Sequence, residues 1–386
     1  MTQAGDLEVR AGVIPRTATL VAHEWIEAIG GAEVVLKELL DVLPGADVMC
    51  LWDDAPGRFG RDIQESVLAE SWLRGRKALS LPVMPRAWNT VPLGDYQNVV
   101  VSSHAFAHHL AGRAAREGRN AHVYVHTPAR YIWAPEVEIR GRAAHVRAAS
   151  IPLKKIDRRA THSGVRYAAN SEFIRERIQR SWDRDATVIY PPVDVERIGA
   201  VTRWRDALSA EEDRLFSVLP SDGYILGASR LVSYKRLDKA IEVGEALGMP
   251  VVIAGSGPEE AALRERGASA TVPVLFTGRV SDEQLYALYQ EASLFVFMPI
   301  EDFGIMPVEC MAAGTPVLVN SIGGARESVN AVGLGAEAEL DVSRSELAAA
   351  ADRALLSTAT RRDDATYEFS RTSFRHKIHK WIEETT

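Results

Sequence analysis

Leu294-Phe295-Val296-Phe297-Met298, followed after two residues by Glu301-Asp302-Phe303-Gly304-Ile305-Met306-Pro307-Val308-Glu309, reads as one strand, one turn and the opening of one helix. Five consecutive apolar residues suit a strand buried on both faces of a parallel sheet. Gly304 interrupts the run, and Pro307 fits the first turn of a helix, where a missing N–H leaves no bond unmade. Such a unit delivers the Glu301 carboxylate to the carboxyl end of a strand. The N–H groups at the helix start point toward an anion and suit a diphosphate. Glu301 and Glu309 together can accept hydrogen bonds from two parts of one ligand, such as a hexose hydroxyl and a ribose diol. Taken alone, the same pair is also compatible with a polar loop and an ordinary helix glutamate.

The strand-then-helix alternation extends outward in both directions. Tyr224 to Ala228, Val251 to Ala254, Val274 to Phe276 and Pro316 to Asn320 read as companion strands, separated by helices near Asp238 to Leu247, Glu259 to Arg266, Asp282 to Glu291 and Met306 to Ala313. An earlier set comprises Thr19 to His23, Asp47 to Trp52, Asn98 to Ser102, His122 to Val125 and Arg166 to Ala169, with a helix from Ala32 to Leu43. The fold class is therefore α/β, with two doubly wound parallel sheets. Paired prolines in Tyr190-Pro191-Pro192-Val193-Asp194 mark the boundary. The expected division is a first domain over 1–194, a charged linker or peripheral helix over 195–222, a second domain over 223–364 and a terminal helix over 365–386. Tyr367, Phe369, Phe374, Ile378 and Trp381 on that last segment require a docking surface.

Composition agrees with two globular domains and narrows their partners. The 386 residues are 46% hydrophobic and 25% charged, enough to bury two cores, and the net charge of -7 argues against general nucleic-acid binding. Cys50 and Cys310 are far apart in apolar settings, which points to buried thiols in a reducing cytoplasm. No run is long enough to cross a bilayer, and the first residues lack the pattern of a signal peptide. Ser71 to Trp88 interleaves aromatics with Arg74, Arg76, Lys77 and Arg86. That mixture fits either peripheral contact with an anionic membrane or a loop whose aromatics pack inward, since Pro82 and Pro85 interrupt a continuous amphipathic helix.

Other candidate site residues fall at strand ends. Gly30 and Gly31 open the first helix, where backbone can approach a phosphate; no dinucleotide or Walker fingerprint accompanies them. Gly255-Ser256-Gly257-Pro258 reads as a tight turn. Arg230 and Lys235 follow the first strand of the second domain, at the edge where open α/β sheets bind ligands, and two fixed cations there can neutralise a diphosphate. His126 ends a strand of the first domain, as a structural hydrogen-bonder or as a ligand contact.

Jointly, Gly30-Gly31-Ala32-Glu33, His126-Thr127-Pro128, Ser229-Arg230-Leu231, Tyr234-Lys235-Arg236, Gly278-Arg279-Val280, Glu301 to Gly304, Pro307-Val308-Glu309 and Gly323-Gly324 resemble the retaining glycosyltransferases of family 4. The resemblance runs from about Ala22 to Val329. Tyr124 to Trp133, with its Tyr-x-His-Thr-Pro-x-Arg-Tyr-x-Trp form, is similar to the GDP-mannose-dependent mannosyltransferases of O-antigen and polysaccharide assembly. It implies a GT-B architecture, two Rossmann-like domains facing a cleft, with a nucleotide-sugar donor and a glycan, glycolipid or small-molecule acceptor. By position, Arg230 and Lys235 would bind the diphosphate, with Gly30, Gly31 and the backbone at Phe303, Gly304 and Ile305 assisting. Glu309 would hold the ribose, Glu301 the transferred sugar, Arg279 and Val280 the base, and His126 the reacting face of the sugar. The terminal helix would brace the first domain, as in family members. No metal site or further cofactor is expected, since no Asp-x-Asp ends a strand. A UDP-sugar donor and a non-catalytic sugar-nucleotide-binding subunit are the alternatives.

Overall fold

The computed structural model describes residues 18–134, 144–357 and 365–384. The first sheet is built from β1 (Thr19–His23), β2 (Asp47–Cys50), β3 (Ile63–Glu65), β4 (Asn98–Ser103), β5 (Asn120–Val125), β6 (Val165–Ala169) and β7 (Thr187–Val188). All pairs are parallel, in the order β3-β2-β1-β4-β5-β6-β7. The second contains β8 (Ile225–Ala228), β9 (Val251–Ala254), β10 (Val274–Gly278), β11 (Leu294–Phe297), β12 (Val317–Asn320) and β13 (Gly335–Ala338), in the parallel order β10-β9-β8-β11-β12-β13. The central strands are buried end to end because helices cover both faces, which is why they read as unbroken apolar runs rather than alternating ones. Strand order reverses between β1 and β4 in one sheet and between β8 and β11 in the other. These are the two crevices where such sheets take ligands. The molecule has the two-domain GT-B architecture.

Several elements differ from the sequence expectation. Residues 195–222, expected as a charged linker or peripheral helix, form short helices packed onto the second domain. Val195, Ile198, Trp204 and Phe216 enter the core of the second domain, and Gln290 binds both Trp204 N and Val201 O, at 2.7 and 3.0 Å. Their alternating charge covers an apolar stripe that only packing reveals. The terminal segment expected as one helix contains a 3-10 turn, Tyr367–Phe369, and a helix, Arg371–Glu383. Ser370 separates them, its hydroxyl capping the helix by accepting from Ser373 N at 2.9 Å. Phe374, Ile378, Trp381 and Ile382 bury against Val35, Leu36 and Leu39 of the first domain's helix Gly31–Val42. Arg375 binds Glu38 and Asp41 on the same helix.

Two helices, Lys77–Ser80 and Met84–Thr90, occupy the aromatic and basic stretch 71–88. Its apolar side chains divide between interior and surface. Met84 and Trp88 are buried, with Trp88 Nε1 donating to Glu24 at 3.2 Å, whereas Trp72 and Leu79 stay exposed beside Arg74 and Arg76. Both cysteines are buried and free. Among the described residues no helix is long and apolar enough to cross a membrane.

Candidate functional site

The second domain's half of the site flanks its strand-order reversal. Lys235 follows β8 in the 3-10 turn Ser233–Lys235, and its Nζ lies 2.6 Å from Glu301 Oε1, after β11. Arg230 remains exposed, with its guanidinium on the Tyr234 hydroxyl at 2.9 Å. Close backbone contacts hold both loops. A Cβ on Gly324 would come within 2.1 Å of Asp302 O, and Gly324 N donates to Glu301 O at 2.8 Å, so only glycine lets this loop lie under the Glu301 turn. Likewise, Gly255 lies against Ser229 O, where a Cβ would approach to 1.8 Å, and Ser256 O accepts from Leu231 N at 3.0 Å. The glycines of residues 255–257 thus form a tight turn that props the loop carrying Arg230 and Lys235.

The first domain contributes its own strand ends. His23 closes β1, Ser102 lies on β4 and His126 follows β5; parallel pairing sets His23 beside Ser102 and Ser102 beside Tyr124. Ser102 Oγ lies 3.0 Å from His23 Nδ1 and 2.8 Å from His126 Nε2. Burial lowers the His126 pKa to about 4 and that of His23 to about 3, so both rings are neutral at pH 7. From the helix Arg130–Trp133, Arg130 crosses to the second domain. Its Nε donates to Asp302 Oδ2 at 2.9 Å and its Nη2 lies 3.8 Å from Glu301. Arg177 donates to the other Asp302 oxygen at 2.7 Å. Burial pushes the Asp302 carboxyl up, but the two guanidinium groups outweigh that cost and hold it below its usual range.

The remaining sequence candidates are distributed unevenly around this centre. Gly31 faces Ile305 across the cleft, 3.4 Å from Ile305 Cδ1 for a Cβ placed there. Gly30 is covered by the Glu33 carboxylate, which accepts from Glu27 N at 3.0 Å, so an approaching phosphate would share this helix start with a negative charge. Gly304 is the N-cap of the helix Ile305–Ala312. Glu309 lies within that helix, and burial together with the Asp282 carboxylate pushes its pKa up to about 7. Arg279 is exposed and Val280 half-buried, next to the end of β10. The Phe303 side chain is 3% exposed and packs between Tyr190 and Phe369, at ring distances of 5.5 and 5.7 Å, so only its backbone faces the cleft, the part of the residue to which the resemblance gave a role. Sequence reasoning assigned no role to Asp302, Arg177, Ser102 or His23. Asp302 and Arg130 did lie inside quoted motifs, which was the available signal.

Two family models match this arrangement: "Glycosyltransferase Family 4" over residues 29–197 and "Glycosyl transferases group 1" over residues 211–368, one for each domain. The chain is a family 4 glycosyltransferase. Among curated relatives of this glycosyltransferase, the O-antigen chain mannosyltransferase C of Escherichia coli is 29% identical over 180 residues, 44% of this chain and 43% of the relative. A GDP-mannose-dependent alpha-(1-6)-phosphatidylinositol monomannoside mannosyltransferase of Mycobacterium tuberculosis is 30% identical over 176 residues, 41% of this chain and 44% of the relative. These alignments span less than half of the relatives' length. Over the whole fold, the glycosyltransferase superposes on the Anabaena protein HepE, solved in complex with UDP, with a TM-score of 0.70 and 17% identity, covering 95% of this chain and all of that one.

Proposed function

We propose that this glycosyltransferase moves a hexose, with mannose from GDP-mannose as the leading donor, to a hydroxyl of a glycan or glycolipid, retaining configuration at the anomeric carbon. The observation that carries the reading is the Lys235–Glu301 pair, 2.6 Å apart at the strand-order reversal of the second sheet, with Arg130 from the opposite domain 3.8 Å from Glu301. Lys235 and Arg230 stabilise the departing diphosphate, and Glu301 takes hydroxyls of the transferred sugar. Their effect is large because charges fixed before reaction need no reorganisation as the leaving group develops. His126 is neutral at working pH and contacts the sugar through a hydrogen bond rather than as a proton acceptor. The donor phosphate receives the acceptor's proton, so the reaction needs neither a metal nor a protein base. Glu309 accepts from the ribose, and Arg279 with Val280 lines the base.

The mannose assignment is supported by the names of the Escherichia coli and Mycobacterium relatives. A UDP-sugar donor remains the second reading, favoured by HepE having been solved with UDP-glucose. Exposed Trp72 and Leu79 beside Arg74 and Arg76 favour an acceptor presented at an anionic lipid surface. The test is a donor panel of GDP-mannose, UDP-glucose, UDP-N-acetylglucosamine and GDP-fucose, read by thermal shift and by sugar release. Stabilisation and turnover with GDP-mannose are expected; a response to UDP-sugars alone rejects the donor assignment. In Lys235→Ala, transfer should fall by about a hundredfold with folding retained. Unchanged transfer would remove Lys235 from the mechanism.

A further inference from the structure

Ser102 stands between two imidazoles, and the hydrogen-bond inventory of that trio restricts how the protons are arranged. A serine hydroxyl has one proton to donate and two lone pairs. It cannot donate to His23 Nδ1 and His126 Nε2 at once. If both imidazoles donated to it, its own proton would be left without a partner in a site where Ser102 and His23 are fully buried. One ring therefore donates to Ser102 and the other accepts from it.

The far side of His23 distinguishes the two directions. His23 Nε2 is buried with no hydrogen-bond partner among the described residues. If Ser102 donated to His23 Nδ1, the neutral His23 would carry its proton on Nε2, as a buried N–H with nothing to bond. Orphaned buried N–H groups are rare in folded proteins. In the opposite direction Nε2 carries only a lone pair, and no buried N–H is left without a partner. Nδ1–H of His23 then donates to Ser102 Oγ, and the Ser102 hydroxyl donates to His126 Nε2.

We infer that Ser102, oriented by His23, is a positioning residue that locks His126 in the Nδ1–H tautomer and so makes it a hydrogen-bond donor toward the cleft. The idea rests on the reading of His126 as a sugar contact and adds a direction to it. A donor at this point recognises a hydroxyl or ring oxygen through its lone pair and cannot withdraw a proton from the acceptor. The backbone supports the arrangement, because His126 N donates to Ser103 O at 2.8 Å and continues the β4–β5 pairing past the strand end. Tyr124 packs against the His126 ring at 5.2 Å between centroids.

The experiment is nitrogen-15 NMR of the histidine side chains at pH 7 in the full-length protein, with His126 assigned by its absence from His126→Gln. Wild type should show a protonated Nδ1 and an unprotonated Nε2 at His126. Ser102→Ala should shift this toward a tautomer mixture and lower kcat about tenfold, with the affinity for the nucleotide diphosphate unchanged. Ser102→Thr, which keeps the hydroxyl, should restore both. A wild-type His126 protonated on Nε2 overturns the inference, as does a folded Ser102→Ala with unaltered tautomer and rate. If Ser102→Ala fails to fold, the wild-type spectrum decides by itself. Absence of sugar transfer from any donor would instead defeat the functional reading, because the tautomer is measured without turnover.

Discussion

Glu309 owes its protonation behaviour to its surroundings. As a helix glutamate it would be ionised throughout the neutral range, but burial and Asp282 push its pKa up to about 7. A ribose diol donates hydrogen bonds and therefore prefers the carboxylate to the acid. Donor binding should consequently be full above pH 7 and weaken as the pH falls through it. The expected result is a donor KM that rises severalfold between pH 8 and pH 6, with Glu309→Gln removing the dependence and holding KM high throughout. A wild-type KM that is flat over this range would separate Glu309 from the ribose. The same residue shows the limit of motif reading: Pro-Val-Glu was legible, whereas the neighbouring carboxylate at Asp282 is supplied by another helix.

At the scale of elements, one buried carboxylate joins four helices of the first domain. Asp157, in the helix Ala144–Ala160, accepts from Trp133 Nε1 at 2.6 Å and Trp182 Nε1 at 2.8 Å through one oxygen. Its other oxygen lies 3.1 Å from His108 Nε2 and 3.2 Å from His109 Nε2, both on the helix His108–Arg116. Burial opposes ionisation, but these imidazoles hold the carboxyl far below its ordinary range. Asp157→Ala would leave two indoles and two imidazoles unpaired. A loss of about 3–5 kcal/mol is expected by urea unfolding, with transfer by the surviving folded fraction little altered. A loss below about 1 kcal/mol would show that the cluster relaxes around the gap. None of this was visible in the sequence, because His108, Trp133, Asp157 and Trp182 share no motif and only packing brings them together. The strands divide by the same rule. Fully buried β8, β9, β11 and β12 announce themselves as apolar runs, while β3, β7 and β13 do not. Those three lie at sheet edges and are only partly buried, so they carry no continuous apolar run.

At the scale of the whole molecule, Asp302 closes the cleft. It belongs to the second domain yet is bound by Arg130 and Arg177 of the first, and Ser171 Oγ donates to its carbonyl at 2.5 Å. Beside it, Glu327 accepts from Glu172 N and Phe173 N, both at 2.8 Å, at the start of the helix Glu172–Trp182, where a carboxylate also meets the positive end of the helix dipole. Asp302→Ala would leave the buried Arg177 charge without its carboxylate, with Thr127 Oγ1 as its remaining acceptor, a cost of about 3–5 kcal/mol that opening of the cleft can relieve. The variant should show a larger radius of gyration by small-angle scattering and transfer reduced at least tenfold, with each domain still folded. An unchanged radius and rate would mean that closure depends on other contacts, such as Gly31 against Ile305 and the terminal helix on Gly31–Val42.

By itself the sequence determined what local chemistry can determine. Buried strands require continuous apolar runs, turns that pass close to another backbone require glycine, and a strand-end carboxylate or cation needs only its neighbours in the chain to be placed. Hence the two parallel sheets and the strand-end positions of Glu301, Lys235 and His126 were legible. Tertiary structure decided which of these groups meet and in what state of charge. Arg130 and Asp302 are 172 residues apart, and nothing local couples them. The Ser102 link between two histidines, the raised pKa of Glu309, the withdrawal of Phe303 into an aromatic cluster and the incorporation of 195–222 into the second core have the same origin. Each depends on burial and on partners from distant segments, and a linear sequence specifies those only through the completed fold.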